Sequence, residues 1–353
     1  MGEIGVCDTR VAQFSRARRQ RARLPLVAAM TPGPVLALAV AFLGPACDRG
    51  KAPQTTEVVA AALNVSPALG DFVLEAQNSI RLQTGGLVVN GGDIGARGTG
   101  SGPFLSGGVA VDILTGAQTQ ASRNIIADSV RLGTGVNVGD IQTNRLVNGV
   151  GVTHGNVSAM VPLPALPTTC GATPGTSNLT VGTGATVTAS PGQFATVSVG
   201  TGGKLRLNSG RYDVSNITVG TGARIEALGP VQIRVASRVS TSSGSFIGAA
   251  SGTTLSARDV RIEVSGQNGT TGALGATPPA ASLGTGNVVT ALILVPNGTL
   301  VMGTGIVATG AFMARDIDVG GAGARIVFQD GFVGCTVAGC NDGNPCTVDG
   351  CST

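Results

Sequence analysis

One phrase, V-G-T-G-[AG]-x-[VLI], occurs three times between Leu179 and Leu228, starting at Val181, Val199 and Val219, in steps of 18 and 20 residues. Between the phrases run short segments such as Lys204-Leu205-Arg206-Leu207, in which every second residue is apolar. That alternation is the period of a strand with one buried face. A unit this short cannot bury an apolar face by itself, and becomes stable only by stacking on its neighbours. The pattern predicts an all-β chain wound into stacked coils of about 18–20 residues, a β-solenoid.

The composition fits such thin layers. The 353 residues include 56 Gly but only 9 Phe, one Tyr and no Trp. A conventional core draws much of its buried area from aromatics; a stack of coils needs only Val, Ile, Leu and Ala repeated in rank. With 12% charged and 42% hydrophobic residues the chain is not a disordered polymer. Gly does not recur every third residue, which excludes collagen. The net charge of +4 lies wholly in residues 1–46, where six Arg face Glu3 and Asp8. The remaining body is neutral and has no basic stripe, so nucleic acid is not an expected partner.

Residues 1–46 have the layout of a secretory signal. Arg16–Arg23 is basic, Val35–Leu43 is apolar, and Gly44-Pro45-Ala46 supplies small residues before Cys47. Small residues directly before a Cys resemble a bacterial lipobox, which implies an acylated Cys47 and a lipid anchor in a membrane. The alternative is an ordinary cleaved signal followed by a chance Cys, and a secreted chain. Met30 is a second candidate start. Residues 47–56 then form a polar tether.

Residues 57–158 are read as an N-terminal cap and first coils. Glu57–Leu63 is a short helix candidate able to cover an open coil. Residues 159–177 (Val161–Gly175 is VPLPALPTTCGATPG) form a Pro-rich crossing segment, and 178–332 the main coils. Ser265–Asn287 reads as a polar loop thrown out from one coil. Ala127–Leu132 resembles Ala257–Ile262 and Ala314–Val319, the last two lying 57 residues apart, or three turns of 19. Each Gly-Thr-Gly is read as a corner. A flat Thr face for ice would need several Thr-x-Thr ranks, and the phrase segments offer one, at Thr186-Val187-Thr188.

Leu294–Asp330 carries a P-N-x-T-[LV] start, a G-x-[FV]-x-A-[KR] strand and a [VI]-x-[VI]-G-G strand end. These residues resemble the bactofilin-like, polymer-forming β-helix repeats of bacterial envelope proteins, over about Asn178–Phe332. The resemblance implies a right-handed parallel β-helix, and a chain able to assemble with copies of itself.

Residues 333–353 hold Cys335, Cys340, Cys346 and Cys351, spaced five, six and five. In an exported chain such spacing reads as a disulfide module, with Cys170 a fifth candidate; four Cys allow three pairings. Cys170 with Cys335 is the favoured pair. Zinc on the four Cys, and Ca²⁺ on Asp342, Asn344 and Asp349, are competing readings, but the paired C-x2-C spacing of zinc knuckles is missing. Cys340–Cys351 resembles the slime-mould-type repeat C-x-D-G-N-P-C-T-x-D-x-C found at the ends of bacterial surface proteins.

Catalytic chemistry has few candidates. His154 is the only histidine and sits in a Gly-rich turn without a nucleophile motif. Carboxylate pairs of the polysaccharide-cleaving kind could come from Asp259 with Glu263 or Asp316 with Asp318, since residues two apart on a strand share a face. Arg258-Asp259 recurs as Arg315-Asp316, which favours a repeat feature over a unique site, and Tyr212 is the only sugar platform of its type. No cofactor is expected. The sequence therefore predicts a non-enzymatic, exported envelope protein, structural or adhesive, whose partners are copies of itself or a cell-surface glycan. A polysaccharide-binding or polysaccharide-cleaving β-helix and an ice-binding protein are the alternatives.

Overall fold

The computed structural model describes residues 67–99, 102–114, 116, 118–120 and 124–332. Within them the chain is all-β, its only helical pieces being 3-10 turns at Leu69–Asp71 and Ala257–Asp259. The strands are β1 Phe72–Leu82, β2 Val88–Asn90, β3 Asp93–Ala96, β4 Val111–Ile113, β5 Gln118–Gln120, β6 Ile125–Ala127, β7 Ser129–Leu132, β8 Ile141–Gln142, β9 Arg145–Asn148 and β10 Val157–Ser158. They continue as β11 Leu179–Val181, β12 Thr186–Ala189, β13 Gly192–Val199, β14 Lys204–Leu207, β15 Gly210–Val219, β16 Arg224–Ala227, β17 Val231–Thr241 and β18 Phe246–Ala249. The last five are β19 Val260–Val264, β20 Ala281–Leu283, β21 Val288–Met302, β22 Val307–Val319 and β23 Arg325–Phe328.

All the pairings among these strands are parallel and fall into three ladders. One runs β12-β14-β16-β18-β21-β22-β23-β2-β5. A second runs through the first halves of β13, β15 and β17, then β19-β21-β22-β1-β3-β6-β8-β10. The third runs β11-β13-β15-β17-β20-β21-β22-β1-β4-β7-β9. Long strands serve two ladders, and β21 and β22 all three; they bend at register shifts, between Val214 and Asn216, Val295 and Thr299, and Ala76 and Ser79. Inward residues of all three ladders, such as Leu205, Val235 and Val219, form one apolar cluster.

The order of layers differs from the order of the chain. β1 lies against β22, so the strands of 72–158 extend the stack beyond β23. β11 and β12 occupy one end, and β9 and β10 the other. Residues 159–177 must then run the length of the stack to rejoin β11. Ten steps along the third ladder cover about 48 Å at ~4.8 Å per step. Nineteen extended residues reach roughly 65 Å, so the connection is feasible only if nearly straight. Pro162, Pro164 and Pro167 favour that extended form. The segment covers the outward face of the second ladder: Met160, Val161, Leu163 and Leu166 pack with Phe72, Ile126, Leu292, Leu294 and Met313.

Two further expectations change. The inserted loop stops at residue 280, because Ala281–Leu283 returns as β20. The Ala257–Ile262 likeness is fortuitous: Ile262 stacks on Ile293 and Ile293 on Phe312, so Ala257 and Ala314 are not equivalent. The Ala127–Leu132 likeness is real, since Ala314, Ala76, Ala96 and Ala127 share one rank. The Glu57–Leu63 helix lies outside the described residues.

Candidate functional site

The Gly-Thr-Gly phrases are corners, and their two glycines answer different demands. Gly222 has φ +64°, as do its counterparts within a few degrees, which favours Gly. At Gly220 a Cβ would come 2.8 Å from Thr201 N of the layer beneath, so the demand there is close approach between layers. Gly182 sits at the same place in the end layer, where a Cβ would meet nothing nearer than Ala185 Cβ at 3.9 Å. Ala185 is itself exposed, while Ala223 at its place two units further on is buried.

Hydroxyls form ranks along this part of the stack. Thr180, Ser198, Thr218, Ser240 and Ser282 lie in register on the outward side of the third ladder. Thr183, Thr201 and Thr221 stand exposed at successive corners beside them. The Thr186–Thr188 pair has no second rank, because its neighbours are Lys204 and Arg206. Those two, with Arg224, surround the buried Glu226. Burial works to raise the Glu226 carboxyl, but the three cations outweigh it and hold it below the usual range.

Where β22 meets β1 the hydroxyl rank becomes charged. Asp318, Arg81, Asp112 and Arg131 follow one another in register. Arg131 donates to both oxygens of Asp112 at 2.8 and 2.5 Å. One rank across, Asp316 is fully buried and accepts from Asn78 Nδ2 at 2.6 Å, Ser79 Oγ at 2.8 Å and Arg315 Nε at 2.8 Å. Beside it opens a cleft of about 420 Å³ lined by Gln77, Asn78, Pro103, Gly272, Ala273, Leu274, Arg315 and Asp316.

The predicted carboxylate pairs do not act as pairs. Asp316 and Asp318 each face a guanidinium. Asp259 caps the 3-10 turn by accepting from Ser256 N at 2.8 Å. Glu263 accepts from Gln232 Nε2 at 2.9 Å and from Cys170 N at 3.2 Å, and forms an ion pair with Arg261 at 2.6 Å. His154 lies exposed in the β9–β10 end layer, its ring nitrogens 3.3 Å from Asn148 Nδ2 and 2.8 Å from Gly155 O. Tyr212 is a core residue, its hydroxyl 2.9 Å from both Ala189 O and Asn208 O. Cys170 is a free, exposed thiol on the crossing segment. Cys47, Cys335, Cys340, Cys346 and Cys351 lie outside the described residues, as do Asp342, Asn344 and Asp349.

Among the described residues no group of three metal-ligating side chains occurs, and no helix is long and apolar enough to cross a membrane. Comparison of the chain with known protein families, with curated proteins and with solved structures finds no match. Sequence reasoning missed the cleft. Its signal was Gln77-Asn78-Ser79, three polar residues in a row between Leu74-x-Ala76 and Ile80-x-Leu82, which break the alternation where β1 shifts register.

Proposed function

We propose that the chain is a right-handed parallel β-helix whose role is structural or adhesive, and that it joins copies of itself end to end. The three parallel ladders and the repeat of 18–20 residues support the β-helix reading. The end layer carries the assembly reading. Gly182 and the exposed Ala185 retain the small residues of interior layers, although nothing described lies beneath them. A further layer would make the same demand on Gly182 that Thr201 makes on Gly220. At the same end β11 and β12 (LTV and TVTA) offer uncharged edges paired on one side only. At the other, β9 and β10 are also paired on one side, with Val147 and Val157 exposed. The two ends differ, so contact between them is head-to-tail and leads to filaments rather than closed dimers.

The basic, apolar and small-residue layout of residues 1–47 supports export and an anchor at Cys47 in the cell envelope. A non-enzymatic role is supported by the way the candidate carboxylates are each engaged by cations or backbone. Electron microscopy and sedimentation of the purified chain test the reading. Filaments are expected from the native chain and their loss from Gly182→Val, whose Cβ meets nothing nearer than 3.9 Å within the single chain. Monodisperse native particles over a wide concentration range would sink it.

The hydroxyl ranks favour a second reading, contact with ice. They repeat at the ~4.8 Å spacing of the ladder on the solvent side. Thermal hysteresis that falls on Thr218→Lys would support it, and no hysteresis would remove it.

A further inference from the structure

We infer that the cleft over Arg315 and Asp316 is a binding site for a neutral hexopyranose unit. The site is built from four separate parts of the chain. Its floor is the Arg315-Asp316 step of β22 and the Gln77-Asn78 bulge of β1. One wall is Pro103 and the other Gly272–Leu274.

Both walls are tied to the floor. Arg315 Nη1 donates to Gly272 O at 2.6 Å, and Asn78 Nδ2 donates to Pro103 O at 3.0 Å. The Gly272–Leu274 loop is also held from behind by Asn268, 1% exposed. Asn268 Nδ2 donates to Leu274 O at 3.2 Å, while its Oδ1 accepts from Thr299 N at 2.8 Å and Ala280 N at 3.1 Å. Walls fixed in this way cost little to order on binding. The volume, about 420 Å³, falls within the roughly 300–1,000 Å³ of small-molecule sites.

The lining identifies the ligand class. Arg315 and Asp316 neutralise each other at 2.8 Å, so the floor presents no uncompensated charge for an ionic ligand. Arg315 donates Nε to Asp316 and Nη1 to Gly272 O, so its guanidinium is held as part of the floor. Gln77 brings an exposed amide, donor and acceptor together, to the mouth. Pro103, Ala273 and Leu274 give an apolar wall. A sugar ring offers the complement: hydroxyl and ring oxygens on its edge, C–H groups on its face. An aliphatic ligand would leave the Gln77 amide unmatched, and an acidic one would meet Asp316 without a free cation in the lining to balance it.

The cleft lies in the middle of the stack, away from both ends, so this inference and head-to-tail assembly stand or fall separately. Saturation-transfer NMR on the full chain tests it, with the methyl glycosides of glucose, galactose, mannose and N-acetylglucosamine as probes and galacturonate as the charged comparator. At least one neutral glycoside should receive saturation, and its affinity should fall tenfold or more in both Gln77→Ala and Leu274→Asp. Both changes lie at the rim, and unchanged thermal midpoints would confirm folding. The inference is overturned if no glycoside binds, if binding survives both changes, or if galacturonate binds more tightly than every neutral sugar. Sedimentation of the same samples reports assembly independently.

Discussion

Arg81 and Asp318, 237 residues apart in the chain, are joined by two hydrogen bonds, Nε to Oδ1 at 2.9 Å and Nη2 to Oδ2 at 2.5 Å. They bridge β1 and β22, where the N-terminal layers meet the C-terminal ones. Asp318 also takes Gln83 Nε2 at 2.9 Å, and Arg81 stacks on Asp112 on its other side. A one-residue slip of β1 would set Asp318 and Asp112 against Ile80 or Leu82, so the alternating charges fix the register of the junction.

Asp318→Ala should therefore loosen this junction before the rest. Hydrogen bonds to charged groups contribute about 1.5–3 kcal/mol each, and Arg81 is a third exposed, so a loss of ~2 kcal/mol is expected. Urea unfolding followed by hydrogen exchange would check it. Exchange should rise first across β1, β3 and β4; uniform change throughout the chain would argue against a junction role.

Tyr212 gives a second test, because the chain has one Tyr and no Trp. Burial pushes its hydroxyl up to about 12, the bond to Asn208 O opposing in part. Phenolate absorbance in the native chain should appear only near pH 12, and near 10 in denaturant. Tyr212→Phe takes the hydroxyl from Asn208 O, while Ala189 O keeps Asn208 N, and should cost about 1 kcal/mol. A native midpoint near 10 would show the ring to be accessible.

Much of the architecture was legible because the corners are written locally. Gly200 and Gly220, with the alternating residues that follow them, state a strand, a turn and a stacking distance within one 20-residue unit. The order of layers was not legible. Nothing near Leu74 announces that its partner is Phe312, since any Val- or Leu-bearing strand suits the same inner face. The 57-residue spacing misled for the same reason: similar strands give similar strings whether or not they are equivalent. The cleft was invisible because its parts lie between Gln77 and Asp316 and meet only after the N-terminal layers dock. Asp316 and Asp318 were legible as residues sharing a strand; their guanidinium partners were not.

The two kinds of corner glycine predict unequal costs. Gly220→Ala forces a Cβ against backbone at 2.8 Å and should lower stability by about 2 kcal/mol. Gly222→Ala meets open space but holds φ +64°, and should cost about 1 kcal/mol. Gly182→Ala meets neither demand within one chain and should leave the dilute protein within about 0.5 kcal/mol. Thermal midpoints at low concentration measure all three. A Gly182→Ala loss equal to that of Gly220→Ala would mean that the end layer is constrained in some other way.

Glu75 predicts an unusual pH dependence. Its carboxyl is fully buried on the outward side of the second ladder, between Met313 and Gly95 in register, and neither oxygen has a hydrogen-bond partner. Burial pushes its pKa up to about 8, the charge of Arg97 opposing in part. The unfolded chain releases this proton near pH 4.5, while the folded chain keeps it. The contribution is thus fully present below pH 4.5, declines as the unfolded state ionises, and is lost by pH 8. A tenfold difference in proton affinity corresponds to about 1.4 kcal/mol, so the swing between 4.5 and about 8 is on the order of 5 kcal/mol. Glu75→Gln keeps the shape and removes the titration. Native minus variant stability, from urea midpoints at pH 5, 6.5 and 8, should fall steadily, with the variant clearly the more stable at pH 8. Other titrating groups contribute to both proteins and cancel in the difference. Parallel curves would mean that the carboxyl reaches solvent, and that the crossing segment does not seal the face above it.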